Sequence, residues 1–224
     1  MPQAPFQPTR RSILKTAAVM AVGGGVASVG GAWAQTTLRR TPDQILGPFY
    51  PITGKHKLER PEDLTHVPGG NGRAKGQLLN VTGRVLTTAG EPVPGVRIEI
   101  WQANAAGRYA HPDDTNPAPL DPNFLGYTVL ISGADGSYRF ETIKPGAYPA
   151  GPNTIRPSHI HFDLSGTHDR LVTQMYFDGD PYNEKDRFLQ SVLRPEALIV
   201  KLRPAPGGAE TDPMLAVFDI VIRG

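Results

Sequence analysis

The chain contains no cysteine. No disulfide framework can staple its fold, and no thiolate can hold a metal. Any metal must then be bound by histidine, carboxylate or phenolate, which leaves iron, copper, zinc or nickel and disfavours thiolate-loving centres. Charge of one sign is also lacking: 23 lysines and arginines against 21 acids give a net charge of +2. That balance carries no nucleic-acid or anionic-membrane footprint. Helical periodicity is scarce and there is no internal repeat. The one sustained apolar run, residues 16–31, is short and glycine-rich for a bilayer span.

That run belongs to a leader. Arg10-Arg11-Ser12-Ile13-Leu14-Lys15 is a twin-arginine pair with a basic follow-up, and Ala32-Trp33-Ala34 fits a small-x-small cleavage site before Gln35. Residues 1–34 therefore read as a twin-arginine signal peptide rather than a single-pass anchor. The expected location is periplasmic or extracellular, with no membrane span in the mature form. That route carries folded proteins, which suits a chain that must load a cofactor before export. Removing the leader leaves 20 basic and 21 acidic residues.

The remainder divides into an arm, residues 35–78, and a strand-rich domain, residues 79–224. In the arm, Thr41-Pro42-Asp43-Gln44 can cap a short helical turn. Gly47-Pro48-Phe49-Tyr50-Pro51 cannot continue a helix and reads as extended. In the domain, 25 glycines and 23 prolines over the whole chain are spread between apolar runs and mark turns rather than disorder. Strands are expected at 81–86, 96–101, 127–131, 137–141, 160–164, 171–177, 198–202 and 215–222, with one short helix near 184–189. Short strands at regular spacing give an all-β fold, an antiparallel β-sandwich with a mostly irregular N-terminal arm.

Chemistry concentrates in Arg156-Pro157-Ser158-His159-Ile160-His161-Phe162. On a strand, successive side chains point to opposite faces, so His159 and His161 share one face while Ile160 and Phe162 share the other. Two imidazoles one pleat apart can chelate a single metal. Tyr109 follows the strand that ends at Trp101, in Gly107-Arg108-Tyr109, and Tyr148 lies in a loop, Pro145-Gly146-Ala147-Tyr148-Pro149. Asp113, Asp114 and His111 read as a solvated loop, and Trp101 and Gln102 as core support.

These motifs resemble the intradiol ring-cleavage dioxygenases, the family of the protocatechuate 3,4- and catechol 1,2-dioxygenases. The resemblance runs from about residue 46 to 222. It also rests on Gly47-Pro48-Phe49-Tyr50-Pro51, on Pro94-Gly95-Val96-Arg97-Ile98-Glu99-Ile100-Trp101-Gln102-Ala103-Asn104 and on Leu171-Val172-Thr173-Gln174-Met175-Tyr176-Phe177. It implies a non-haem Fe(3+) held by Tyr109, Tyr148, His159 and His161, since phenolates stabilise Fe(III) over Fe(II). It implies a catecholic substrate that is cleaved by O2 between its hydroxyl-bearing carbons to a cis,cis-muconate-type diacid, without NAD or flavin. Tyr148 matches the tyrosinate that leaves the metal and takes a catechol proton. Arg156 matches an arginine that stabilises charge on the ring, and Gln174 a pocket residue that can reach the reacting oxygens. Tyr148, Arg156 and Gln174 are thus the expected catalytic residues.

Two departures affect the pocket. Ile155 stands where many relatives have tryptophan, and Ala150 where protocatechuate-type relatives often do. The arm lacks the long helical region of catechol 1,2-dioxygenases and resembles the protocatechuate type, whose partners are usually two different chains; a homo- or hetero-oligomer is possible. Two other readings remain open. One is a non-catalytic exported β-sandwich binding module, since sandwiches host many functions. The other is a zinc hydrolase built on the histidine pair, which needs a third ligand.

Overall fold

The computed structural model describes residues 37–51, 61–204 and 212–223; the leader read at 1–34 lies outside them. The strands are β1 (Leu78–Thr87), β2 (Arg97–Gln102), β3 (Tyr127–Ile131), β4 (Ser137–Ile143), β5 (Tyr148–Pro149), β6 (Ile155–Arg156), β7 (His159–Ser165), β8 (Arg170–Phe177), β9 (Ile199–Val200), β10 (Met214–Val217) and β11 (Ile220–Ile222). One sheet has the order β3-β2-β7-β8-β9, a second joins β1 to β4, β10 and β11, and β5 pairs with β6 alone.

Alternation builds the core. Leu79, Val81 and Val85 of β1 face Ile98 and Ile100 of β2 and Ile160, Phe162 and Leu164 of β7 in one buried cluster. Phe162 sits at its centre, with ring centroids 6.2 Å from Tyr138 and Phe140 and 5.4 Å from Phe218. Two sheets packed on such inner faces make a sandwich. The β2, β7 and β8 pairings are antiparallel, as expected, while β9 joins β8, and β10 and β11 join β1, in parallel.

The strand expected at 215–222 is broken. β10 and β11 keep one register against β1, but Phe218 and Asp219 interrupt it. The Phe218 carbonyl accepts the buried Tyr138 hydroxyl at 2.5 Å, and the Asp219 carboxylate takes the Arg84 N–H at 2.8 Å in place of a ladder bond. The helix expected near 184–189 is split into a 3-10 turn, Asn183–Lys185, and a single α-turn, α1 (Arg187–Gln190), because the Asp186 carboxylate caps the second piece. A further 3-10 turn spans Pro195–Leu198.

The arm takes no helical turn at 41–44. Its backbone is used elsewhere: Thr41 N–H donates to Val221 O at 2.9 Å and Gln44 N–H to Val172 O at 2.8 Å. It crosses the outer face of the five-stranded sheet and dries it. Tyr50 meets Trp101 edge-on at 5.1 Å, and its hydroxyl and that of Tyr127 donate to Glu99 at 2.9 and 2.8 Å. On the polar face of β7, His159, His161 and Asp163 are thereby as buried as the apolar face. Among the described residues no helix is long and apolar enough to cross a membrane.

Gly83 marks the tightest approach of the second sheet. A Cβ there would stand 2.0 Å from the Phe218 carbonyl oxygen and 2.9 Å from the Tyr138 hydroxyl. Gly83→Ala is expected to lower stability by about 1–3 kcal/mol through overpacking, read from the urea midpoint. An unchanged midpoint would show that the Phe218 break yields freely.

Candidate metal centre

The register of β7 places the histidines. His161 stands opposite Trp101 of β2 and Gln174 of β8, and His159 opposite Tyr176. These side chains share the outer face, as the pleat predicts. The histidine rings lie 4.8 Å apart, and His161 stacks on the Trp101 indole at 4.7 Å and 7°. The His159 Nδ1 lies 2.7 Å from the Pro157 carbonyl, which can only accept, so the proton sits there and Nε2 keeps a lone pair.

The tyrosines arrive from two loops pressed together. Asn104 organises the first: its Oδ1 accepts from Ala106 N–H at 2.9 Å and Arg108 N–H at 3.0 Å, and its carbonyl accepts from Gly107 and Gly146. At Gly107, with φ of +76°, a Cβ would meet the Ala147 carbonyl oxygen at 2.4 Å, so only glycine lets the two backbones approach so closely. Tyr109 and Tyr148 then meet edge-on, with centroids 5.4 Å apart, and the Tyr109 hydroxyl comes 3.5 Å from His159 Nε2. Tyr148 is not in an open loop, as the sequence suggested. It belongs to β5, paired with Arg156 of β6, an element of two residues a side that is too short to show periodicity.

The structure therefore brings Tyr109, Tyr148, His159 and His161 into one buried cluster. Burial pushes the Tyr109 phenol well above its usual pKa, with Tyr148 adding to it, and burial also raises Tyr148 despite the nearby Arg156 charge. Burial and the Arg156 charge hold both imidazoles well below the usual histidine range. Without a cation the four groups are neutral: two lone-pair nitrogens and two phenols that a metal charge would ionise. The donor set fits a hard, oxidised metal ion. Among the described residues no group of three or more histidine or acidic side chains could hold one. Among those residues the zinc-hydrolase reading finds no third ligand beside the histidine pair.

Arg156 is buried beside the cluster. Its Nε donates to Asp186 at 2.6 Å, and its Nη2 to Gln174 at 2.8 Å and the Tyr176 hydroxyl at 2.9 Å. Gln174 is fully buried, and its amide nitrogen donates to Ile45 O at 2.8 Å. In this geometry its part is to hold Arg156 and the arm. Asp186, Tyr176 and Gln44 were not singled out from the sequence. Tyr176 belongs to the 171–177 motif and Asp186 follows it closely, but only the sheet register and a one-turn helix bring them to the guanidinium. Asp113 is solvated as expected. Asp114 is not: it is buried and accepts from the Tyr109 N–H at 2.7 Å, while the His111 side chain is only 8% exposed and packs on Phe49.

An open cavity of about 590 Å³ lies against the cluster, with Tyr148 and Arg156 in its wall beside Phe49, Thr115, Ala150 and Arg187. Tyr109 does not line it.

The sequence model of the Dioxygenase family (Dioxygenase_C) matches residues 45–224. The protocatechuate 3,4-dioxygenase beta chain of Burkholderia cepacia is 46% identical over 190 residues, which are 81% of this chain and 80% of that one. Hydroxyquinol 1,2-dioxygenase of Rhizobium sp. (strain MTP-10005) is 35% identical over 159 residues, 63% of this chain and 49% of that one, so the chain spans about half of this relative. Among solved structures, the dioxygenase domain of a dioxygenase carbohydrate-binding protein fusion from Streptomyces sp. SirexAA-E superposes with a TM-score of 0.59 at 29% identity, covering 83% of this chain and 99% of that one. The chain belongs to the intradiol ring-cleaving dioxygenase family. Its relatives are enzymes, which leaves the binding-module reading without support.

Asp114→Ala would strand the buried Tyr109 N–H and is expected to cost about 1–3 kcal/mol in denaturant unfolding. Asp113→Ala, at an exposed position, should stay within about 0.5 kcal/mol. Equal effects would refute the role given to Asp114.

Proposed function

We propose that the protein is a non-haem Fe(III) dioxygenase that cleaves a catechol between its two hydroxyl-bearing carbons, giving a cis,cis-muconate-type diacid. The observation that carries this reading is the buried cluster of two phenols and two imidazoles against an open cavity. Tyr109, Tyr148, His159 and His161 would hold the iron. When bound, it would take up the two catechol oxygens and draw electron density from the ring so that the ring can meet O2. Both oxygen atoms end in the product, so the balance requires no reductant.

The chain's own groups divide the remaining work. Tyr109 is enclosed and pinned at its backbone by Asp114, so it is the fixed phenol. Tyr148 lines the cavity, so the phenolate that the metal charge would create there has room to turn away and take a catechol proton, becoming a neutral phenol again, and its high intrinsic proton affinity suits that task. The bonds of Arg156 occupy Nε and Nη2. Nη1 is left for the cavity, where it can face negative charge on the ring.

Arg187 supports a finer reading of the substrate. Its guanidinium lines the cavity 4.7 Å over the Phe188 ring, and no carboxylate pairs with it among the described residues. A ring carboxylate is the substituent it fits. A partner chain is proposed because the Burkholderia cepacia relative is a beta chain by name. Export by the twin-arginine route is proposed from Arg10, Arg11 and the apolar run that follows.

An anaerobic visible spectrum of the purified protein tests the centre. A broad phenolate-to-Fe(III) band that shifts on adding catechol is expected, and Tyr109→Phe should abolish or strongly reduce it with the fold retained. A protein that stays colourless after reconstitution with Fe(III) would overturn the proposal. For substrate choice, Arg187→Ala should lower kcat/KM for 3,4-dihydroxybenzoate about tenfold, the effect of one charge-assisted bond, and leave catechol within about twofold. Equal losses on both substrates would reject the anionic substituent.

A further inference from the structure

We propose that Asp186 is the positioning residue of this site: it aims the Arg156 guanidinium into the cavity and, with the same carboxylate, fixes the cavity wall beside it. The proposal rests on the reading of Arg156 as the group that faces the reacting ring.

Both oxygens of Asp186 are committed. Oδ2 accepts from Arg156 Nε at 2.6 Å. Oδ1 accepts from Phe188 N–H at 2.9 Å and Leu189 N–H at 2.8 Å, which caps α1. The side chain is 1% exposed, so no water competes for it. Phe188 in turn stacks on the guanidinium, 4.6 Å from its carbon, and lines the cavity. One carboxylate thus locates a charge and the aromatic surface that a substrate ring would touch.

The arm closes this arrangement into a ring. The Tyr176 hydroxyl accepts from Arg156, and its one proton is shared between Gln174 Oε1 at 2.8 Å and Gln44 Oε1 at 3.0 Å. Gln44 Nε2 donates to the Phe188 carbonyl at 3.0 Å. The path Asp186, Arg156, Tyr176, Gln44, Phe188 returns to Asp186 through the helix cap. It passes through β6, β8 and α1, which follow one another within residues 155–190, and through the arm, which is far from them in sequence. A guanidinium held at Nε and Nη2 cannot rotate, so the direction of Nη1 is set. A carboxylate is required because an amide has one acceptor oxygen, which can cap the helix or pair with Nε but cannot do both.

The experiment uses the iron-loaded full chain with Asp186→Asn, Arg156→Ala and the double variant. It measures kcat, KM, the anaerobic dissociation constant for catechol and the melting temperature. Asparagine retains the helix cap. D186N should lower kcat about 10–100-fold through misaligned Arg156 while catechol binding stays within about threefold. In the R156A background the same change should alter kcat by less than about twofold, because its effect passes through the arginine. An undiminished loss in that background, or wild-type kcat in D186N, would overturn the proposal. Wild-type kcat in R156A would instead overturn the reading of Arg156, and this proposal with it. If D186N does not fold, Asp186→Ser provides the same comparison, since serine also caps. Loss of the fold in both would overturn the proposal, because the carboxylate would then be needed for folding rather than for aiming the guanidinium.

Discussion

One strand must satisfy two chemistries at once. β7 lies between β2 and β8, and its period of two sends Ile160, Phe162 and Leu164 into the sandwich core while His159, His161 and Asp163 face away. A slip of one residue would put imidazoles among phenylalanines and leave the cluster without nitrogen donors. The core thus specifies the register of the metal centre: packing around Phe162 fixes where the histidine nitrogens stand.

Burial gives the centre its electrostatic character. The arm covers the outer face, so both tyrosines and both histidines are taken out of water, and desolvation favours their neutral forms. Arg156 is the counterpoint, a buried cation beside four neutral groups. Burial alone would lower its proton affinity, but the Asp186 carboxylate, and negative charge on Tyr176 or Tyr148 whenever either ionises, offset that, and it stays charged. A low-dielectric site with one fixed positive charge favours anions that arrive or form there: phenolates, and an ionised catechol.

What was legible in the sequence followed from local pattern. The alternation in β2 and β7 and the turns at glycine gave the sandwich, and the pleat put His159 and His161 on one face. The bounds of β3, 127–131, were read without error. What was hidden depends on pairs distant in sequence or on contacts too short to show a pattern. The break at Phe218 needs Tyr138, 80 residues away. The β5–β6 pairing is too short to show a period. The burial of Asp114 depends on the Tyr109 backbone, which no composition rule reveals. Thr41-Pro42-Asp43-Gln44 carries a helix-start signal that lost because the Thr41 and Gln44 N–H groups pair with strand carbonyls.

The asymmetry between the two tyrosines follows from how each is mounted. Tyr109 sits behind the cavity wall on a loop tied by Asn104 and Asp114, with its backbone amide held by a buried carboxylate. Tyr148 sits at the cavity edge on a strand pair of two residues a side, opposite Arg156. Elements with few backbone bonds open at low cost, and elements with many do not. In the proposed reaction the centre would keep its metal while one ligand steps aside, which calls for both kinds of mounting. Here the weakly held tyrosine is the one with open space before it. Its backbone pairs with Arg156, whose side chain Asp186 holds, so in the proposed reaction Tyr148 would move next to a charge that stays in place.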